Sequence, residues 1–156
     1  MLWPKGKLSV ETGQTQLYRL VKRAHKELES GEWKPSVDAF LGGPTYRVSV
    51  YRAALCGNDP SSLPAEEPGY VCRLIAEHVR AIDNIKRNNP ETGATDKYEV
   101  CVEATPEEGN HIAHADIYLH RPAPNRSAQR KVFRLLKEAL ADLARWEPGY
   151  SPADVE

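Results

Sequence analysis

Cysteine is scarce in this chain, and long apolar runs are missing. Cys56, Cys72 and Cys101 are the 3 cysteines among 156 residues. None belongs to a C-x-x-C pair, and an odd number cannot all pair internally, so they read as reduced thiols without a cysteine-only zinc site. No apolar stretch approaches the roughly 20 residues of a membrane span, and the opening MLWPKGKLSV lacks an apolar signal-peptide core. A cytoplasmic protein with no membrane contact is therefore expected. Charge of one sign is also missing. Lys and Arg number 21 against 22 Asp and Glu, a net charge of −1, so no global field draws the chain to nucleic acid or lipid. The sequence has no G-x-S-x-G, G-x-x-x-x-G-K-S/T or H-E-x-x-H, and no G-x-G-x-x-G after a strand. No cofactor is expected.

What is present describes a globular domain. Apolar residues make up 40% and charged residues 28%, and a chain of this size buries roughly 70% of its extended surface. The reading is one α+β domain over 1–156, with irregular ends at 1–13 and 147–156. Leu17, Leu20, Val21, Ala24 and Leu28 stand at helical spacing, with Thr12 or Thr15 to start and Gly31 to stop, which predicts a helix over 14–30. YRVSVYRAAL alternates as a half-buried strand. A strand over 70–75 is followed by a helix over about 76–87, and YEVCVEA and IAHADIYLH alternate again. Val132, Phe133, Leu136, Ala139, Leu140 and Leu143 form an apolar stripe in a helix from Ser127 to Trp146. The sum is about four mostly antiparallel strands with long amphipathic helices near both termini.

The segment HIAHADIYLH carries the densest candidate chemistry. On a strand, Ala113, Ala115, Ile117 and Leu119 share one face, and His114, Asp116, Tyr118 and His120 share the other. His114 with Asp116 is the candidate acid–base pair. H-x-D on a strand also suits a divalent metal, but His120 lies two steps further on and His111 sits on the preceding loop, so no metal is expected. Glu99, Cys101 and Glu103 would approach the same face from a neighbouring strand. A solvated face of an antiparallel sheet accounts for the same pattern without any site.

Two basic stripes are the second candidate. Arg126, Arg130, Arg134 and Lys137 line the last helix, and Arg19, Lys22, Arg23 and Lys26 line the predicted first helix. They are the residues placed to contact phosphate, with weak, salt-sensitive nucleic-acid binding expected. Trp146, just before Pro148–Gly149, is the candidate contact for a protein partner.

PSVDAF, RVSVYRA, PGYVCRLIAEHVRAI, NHIAHADIYL and the closing LADLARW together resemble a widespread group of small uncharacterised bacterial proteins. The matching residues are Pro35, Ser36, Ala39, Phe40, Ser49, Val50, Gly69, Arg80, His114 and Ala115, within about residues 17–146. The resemblance implies a small accessory component, sometimes beside toxin, antiviral or CRISPR-type loci. It carries no catalytic role and singles out His114 rather than Asp116. The chain departs from the group in its long charged first helix and its insertion near 83–97. The leading expectation is a non-enzymatic accessory or protein-interaction domain. The alternatives are a small hydrolase or nuclease using His114 and Asp116, and an RNA- or DNA-binding module using the basic faces.

Overall fold

The computed structural model describes residues 15–64, 69–106 and 111–155. Its centre is an antiparallel sheet of 6 strands in the order β10-β5-β1-β4-β9-β8. These are β1 (Gln16–Val21), β4 (Val48–Arg52), β5 (Tyr70–Ile75), β8 (Val100–Ala104), β9 (His114–Leu119) and β10 (Arg145–Trp146). Two hairpins stand apart from the sheet: β2 (Lys26–Glu29) with β3 (Glu32–Pro35), and β6 (Lys86–Asn88) with β7 (Thr95–Lys97). The helices are α1 (Ala76–Arg80), α2 (Arg126–Leu143) and α3 (Pro152–Val155). The α+β class stands, with one long helix rather than two.

The predicted helix over 14–30 is instead a strand, a turn and half a hairpin. β1 lies between β5 and β4, paired along its whole length with β5. Leu17 and Val21 pack toward α2, while Tyr18 and Leu20 pack into a second core on the opposite face. A strand covered on both faces shows no clean alternation, so its apolar residues imitate helical spacing. Gly31 does not end a helix. Ser30 (φ 53°) and Gly31 (φ 82°) turn the two-residue connection between Glu29 and Glu32, and positive φ at both positions matches the right-handed twist of the hairpin. The expected lead-in over 1–13 lies outside the described residues.

α2 covers one face of the sheet. Asn125 caps it, its side chain accepting from the Ala128 amide at 2.9 Å. Ala128, Val132, Phe133, Leu136 and Leu140 point inward against Val50, Cys72, Val102 and Ile117. The helix stops at Leu143, three residues before the predicted end, because Arg145 and Trp146 leave it to pair with Arg73 and Cys72 of β5. α1 is likewise shorter than the predicted 76–87, since Ile85 enters the core and Lys86 begins β6. The expected irregular end contains α3, where Asp154 Oδ2 accepts from the Ser151 hydroxyl at 2.8 Å. The expected strands are present as β4, β5, β8 and β9, and no described helix is long and apolar enough to cross a membrane.

Candidate functional site

Alternation on β9 puts Ala115, Ile117 and Leu119 into the core under α2 and turns His114, Asp116 and Tyr118 to the other face. β8 pairs alongside, with Glu103 opposite Asp116 and Cys101 opposite Tyr118. The polar residues thus meet as expected, and what they do is bind one another. Arg47 Nη1 donates to Asp116 Oδ2 at 3.0 Å, and its Nη2 lies 3.9 Å from Glu103 Oε2. Tyr118 donates its hydroxyl to Glu103 at 2.6 Å. His114 Nδ1 is hydrogen-bonded to the Thr105 hydroxyl, while Nε2 lies 3.9 Å from Asp116 Oδ1. Tyr51 packs edge-on against both His111 and His114, each at 5.7 Å between ring centroids.

Burial makes this network tight. Glu103 and Asp116 are each 9% exposed, and carboxylates taken that far from water need such partners. Burial pulls the Arg47 guanidinium down, but the hydrogen bond and charge of Asp116 and the charge of Glu103 outweigh this and hold it up. Tyr118 is pushed up to about 12 by burial, then by its hydrogen bond to Glu103 and the charge there. A phenol raised in the folded state stabilises the fold fully below the ordinary value of 10.0, and that contribution is lost as pH rises toward about 12. Burial also raises Tyr18 and Tyr51, so tyrosinate absorbance should show several phenols ionising late, and Tyr118→Phe should remove one of them and flatten part of the alkaline fall in stability. An unchanged titration in Tyr118→Phe would contradict the assignment.

The histidines do not converge. His111 Nδ1 accepts from the Ala113 amide at 3.0 Å, and His120, beyond the end of β9, accepts from the Glu99 amide at 2.9 Å. Among the described residues, no three His, Cys, Asp or Glu side chains are placed to hold one metal ion. His114 and Asp116 have side chains 14% and 12% exposed, with their polar atoms turned to Thr105, Arg47 and each other.

The open surface borders this network at Arg47 and Tyr118. A cleft of about 570 Å³ runs between the start of β4, the end of β9 and the start of α2, lined by Arg47, Tyr118, His120, Arg121, Asn125 and Arg126 among others. A second, of about 780 Å³, lies between the β6–β7 hairpin and α2, and shares Asn125 with the first. Lys86, Arg87, Lys131 and Arg134 line it, and Glu138 is the only acidic residue in either lining. Arg87 is held by Asp96 at 3.3 Å and Arg134 by Glu138 at 3.1 Å. Arg126, Arg130 and Lys131 are exposed.

Of the sequence-predicted basic residues, Arg126 and Arg134 line the clefts, Arg130 stands on the open side of α2, and Lys137 lies over the Phe133 ring at 5.6 Å. The first predicted stripe does not exist. Arg19 is directed under the sheet's α2 side, donating to the carbonyls of Ser49 (2.7 Å), Ala39 (2.9 Å) and Leu41 (3.3 Å). Arg23 is in the turn after β1, and Lys26 lies over Tyr70 and Trp33. Lys86 and Arg87 escaped sequence reasoning because they fell at the end of the predicted helix over 76–87, whereas they open β6 in a hairpin beside α2. Arg47 and Arg121 escaped it because only tertiary structure brings them to α2. Trp146 is half-buried, with its indole N–H donating to the Trp33 carbonyl at 2.8 Å and its ring edge-on to Tyr70.

The chain matches no protein-family model, no curated protein and no solved structure. The motif residues quoted above hold architectural positions. Ala39 and Phe40 are core residues. Gly69 passes so near β1 that a Cβ there would lie 2.7 Å from the Val21 carbonyl oxygen. Arg80 reaches the carbonyl of Val102.

Proposed function

We propose that this chain is a non-enzymatic accessory domain that binds nucleic acid along α2. The observation that carries the reading is the charge of the two adjoining clefts: three arginines line one, two lysines and two arginines the other. Arg47, Arg87 and Arg134 are opposed by Asp116 and Glu103, by Asp96 and by Glu138, so Arg121, Arg126, Lys86 and Lys131 carry the local excess of positive charge in a chain of net charge −1. The charges of α2 support it further. Its first turn has no acidic residue and its last turn no basic one, so Arg126 sits at the positive end of the helix dipole and Asp142 near the negative end. That arrangement opposes helix stability while raising the positive potential where the clefts meet. The His114–Asp116 pair supports a structural role, because its partners lie within the network. Titration of the protein with a labelled single-stranded oligonucleotide at low salt tests the reading. Saturable binding that weakens steeply with salt is expected, and no binding would refute it.

A second reading, a protein partner, is favoured by the β2–β3 hairpin. Leu28 and Trp33 are cross-strand neighbours, yet 60% and 42% exposed, an unusual pair to leave in water. Trp146 then holds the hairpin in place rather than making the contact itself. On this reading Leu28→Ser with Trp33→Ser should abolish capture of a protein partner from the native host and leave oligonucleotide binding unchanged. Unchanged capture would exclude the hairpin.

A further inference from the structure

We infer that the first cleft is a base-stacking subsite, so that the ligand along α2 is a single strand rather than a duplex; this rests on the nucleic-acid reading above. Two guanidinium groups line the cleft, each with its central carbon over a tyrosine ring. Arg47 Cζ stands 3.9 Å from the centre of Tyr118, and Arg121 Cζ 4.6 Å from that of Tyr98. Each plane is also fixed at its edge, Arg47 by Asp116 at 3.0 Å and Arg121 by the Lys97 carbonyl at 2.9 Å. A guanidinium covered on one face and tied at its edge keeps its second face for another flat group, and nucleobases stack on such planes. The charge of Arg47 is already opposed by Asp116 and Glu103, which makes it a poor counter-ion for phosphate. What it offers the cleft is its plane.

His120 adds a polar group of the right kind. Its Nδ1 accepts the Glu99 amide proton, so the neutral ring carries its own proton on Nε2. The ring is exposed in the cleft lining, and an Nε2–H donor suits the carbonyl or ring nitrogen on a base edge. The cleft volume of about 570 Å³ is within the usual range for small-ligand sites. Exposed Arg126 at its rim and the cations of the second cleft would then follow the backbone. A duplex hides its base faces and has nothing to stack on the guanidinium groups.

Fluorescence anisotropy with three labelled probes separates stacking from charge: a short oligodeoxythymidine, an abasic oligomer of equal length and charge, and a hairpin duplex. Stacking on such platforms changes affinity by roughly five- to a hundredfold per base. The abasic oligomer and the duplex should each bind about tenfold more weakly than oligodeoxythymidine. Arg121→Lys and, separately, Arg47→Lys keep the charge and remove the plane. Each should weaken oligodeoxythymidine binding by about five- to tenfold and leave the abasic oligomer unaffected. Should Arg47→Lys lose its cooperative melt, Arg121→Lys decides alone, because Arg121 is exposed. Equal affinity for oligodeoxythymidine and the abasic oligomer, or unchanged affinity in Arg121→Lys, overturns the subsite and leaves the nucleic-acid reading standing. Failure of all three probes to bind at low salt overturns both.

Discussion

Replacing Arg19 by methionine is expected to destabilise the fold by about 3–5 kcal/mol, the largest stability effect predicted for any charged residue here. Arg19 stands between Leu17 and Val21 on β1, facing the α2 side. Its side chain ties the 3-10 turn Val37–Phe40 and the following chain to β4 through the carbonyls of Ala39, Leu41 and Ser49. Burial lowers its pKa, yet an arginine stays protonated inside a protein, so all three bonds are made by a charged donor. Hydrogen bonds to charged groups are worth about 1.5–3 kcal/mol each and are not additive. Methionine keeps the apolar stem and leaves three carbonyls short of a donor. Urea unfolding should show a lower midpoint with an unchanged slope. A change below about 1 kcal/mol would mean that Arg19 is solvated, as a helix-surface residue would be.

Reversing the charge of Arg126, Arg130 and Arg134 together, each to glutamate, should weaken single-strand binding about a hundredfold near 0.1 M salt. Each phosphate contact of a single strand contributes a slope of about −0.7 in log affinity against log salt, so each is worth about fivefold at that salt concentration. Stability should hardly move. Glutamate at position 126 would meet the positive end of the helix dipole and add about 0.3–1 kcal/mol. Loss of the exposed Arg134–Glu138 pair, at 3.1 Å, would remove about 0.3–0.5 kcal/mol. Glutamate at position 134 would also repel Glu138, at a further cost of about 0.2–0.5 kcal/mol. The terms nearly cancel, so loss of binding in a variant about as stable as the parent separates a ligand-contacting role from a structural one.

The legible parts of this fold were those with one polar face. β8 and β9 alternate because their second face carries polar residues, so the core faces of both could be read from Val100, Val102, Ala115 and Ile117, and the structure supplies their pairing. The same alternation correctly put His114, Asp116, Tyr118 and Glu103 together. It could not say that Arg47, 69 residues before Asp116 in the chain, would arrive to neutralise them, because nothing local marks that residue. β1 was illegible for the opposite reason: with both faces covered it carries no period-two signal, and Ser30–Gly31 serves a hairpin as readily as a helix end. Arg19, read as a surface cation, followed that error. α2 was nearly fully legible from its apolar stripe, which set its start within one residue; its Asn125 cap was seen only in the structure, and the pairing of Arg145 and Trp146 with β5 shortened its end. The clefts became visible only when the β6–β7 hairpin and the Arg121 turn were set beside that helix.

The salt dependence of single-strand affinity, measured in parallel for the parent protein and the triple Arg126, Arg130 and Arg134 reversal, bears most directly on the proposed function. With about four to six cations meeting phosphate, the parent should give a slope of about −3 to −4 between roughly 50 and 200 mM salt. The variant should be shallower by about 2, or too weak to measure. A parent slope near zero, or the same slope and affinity in both proteins, would contradict nucleic-acid binding along α2.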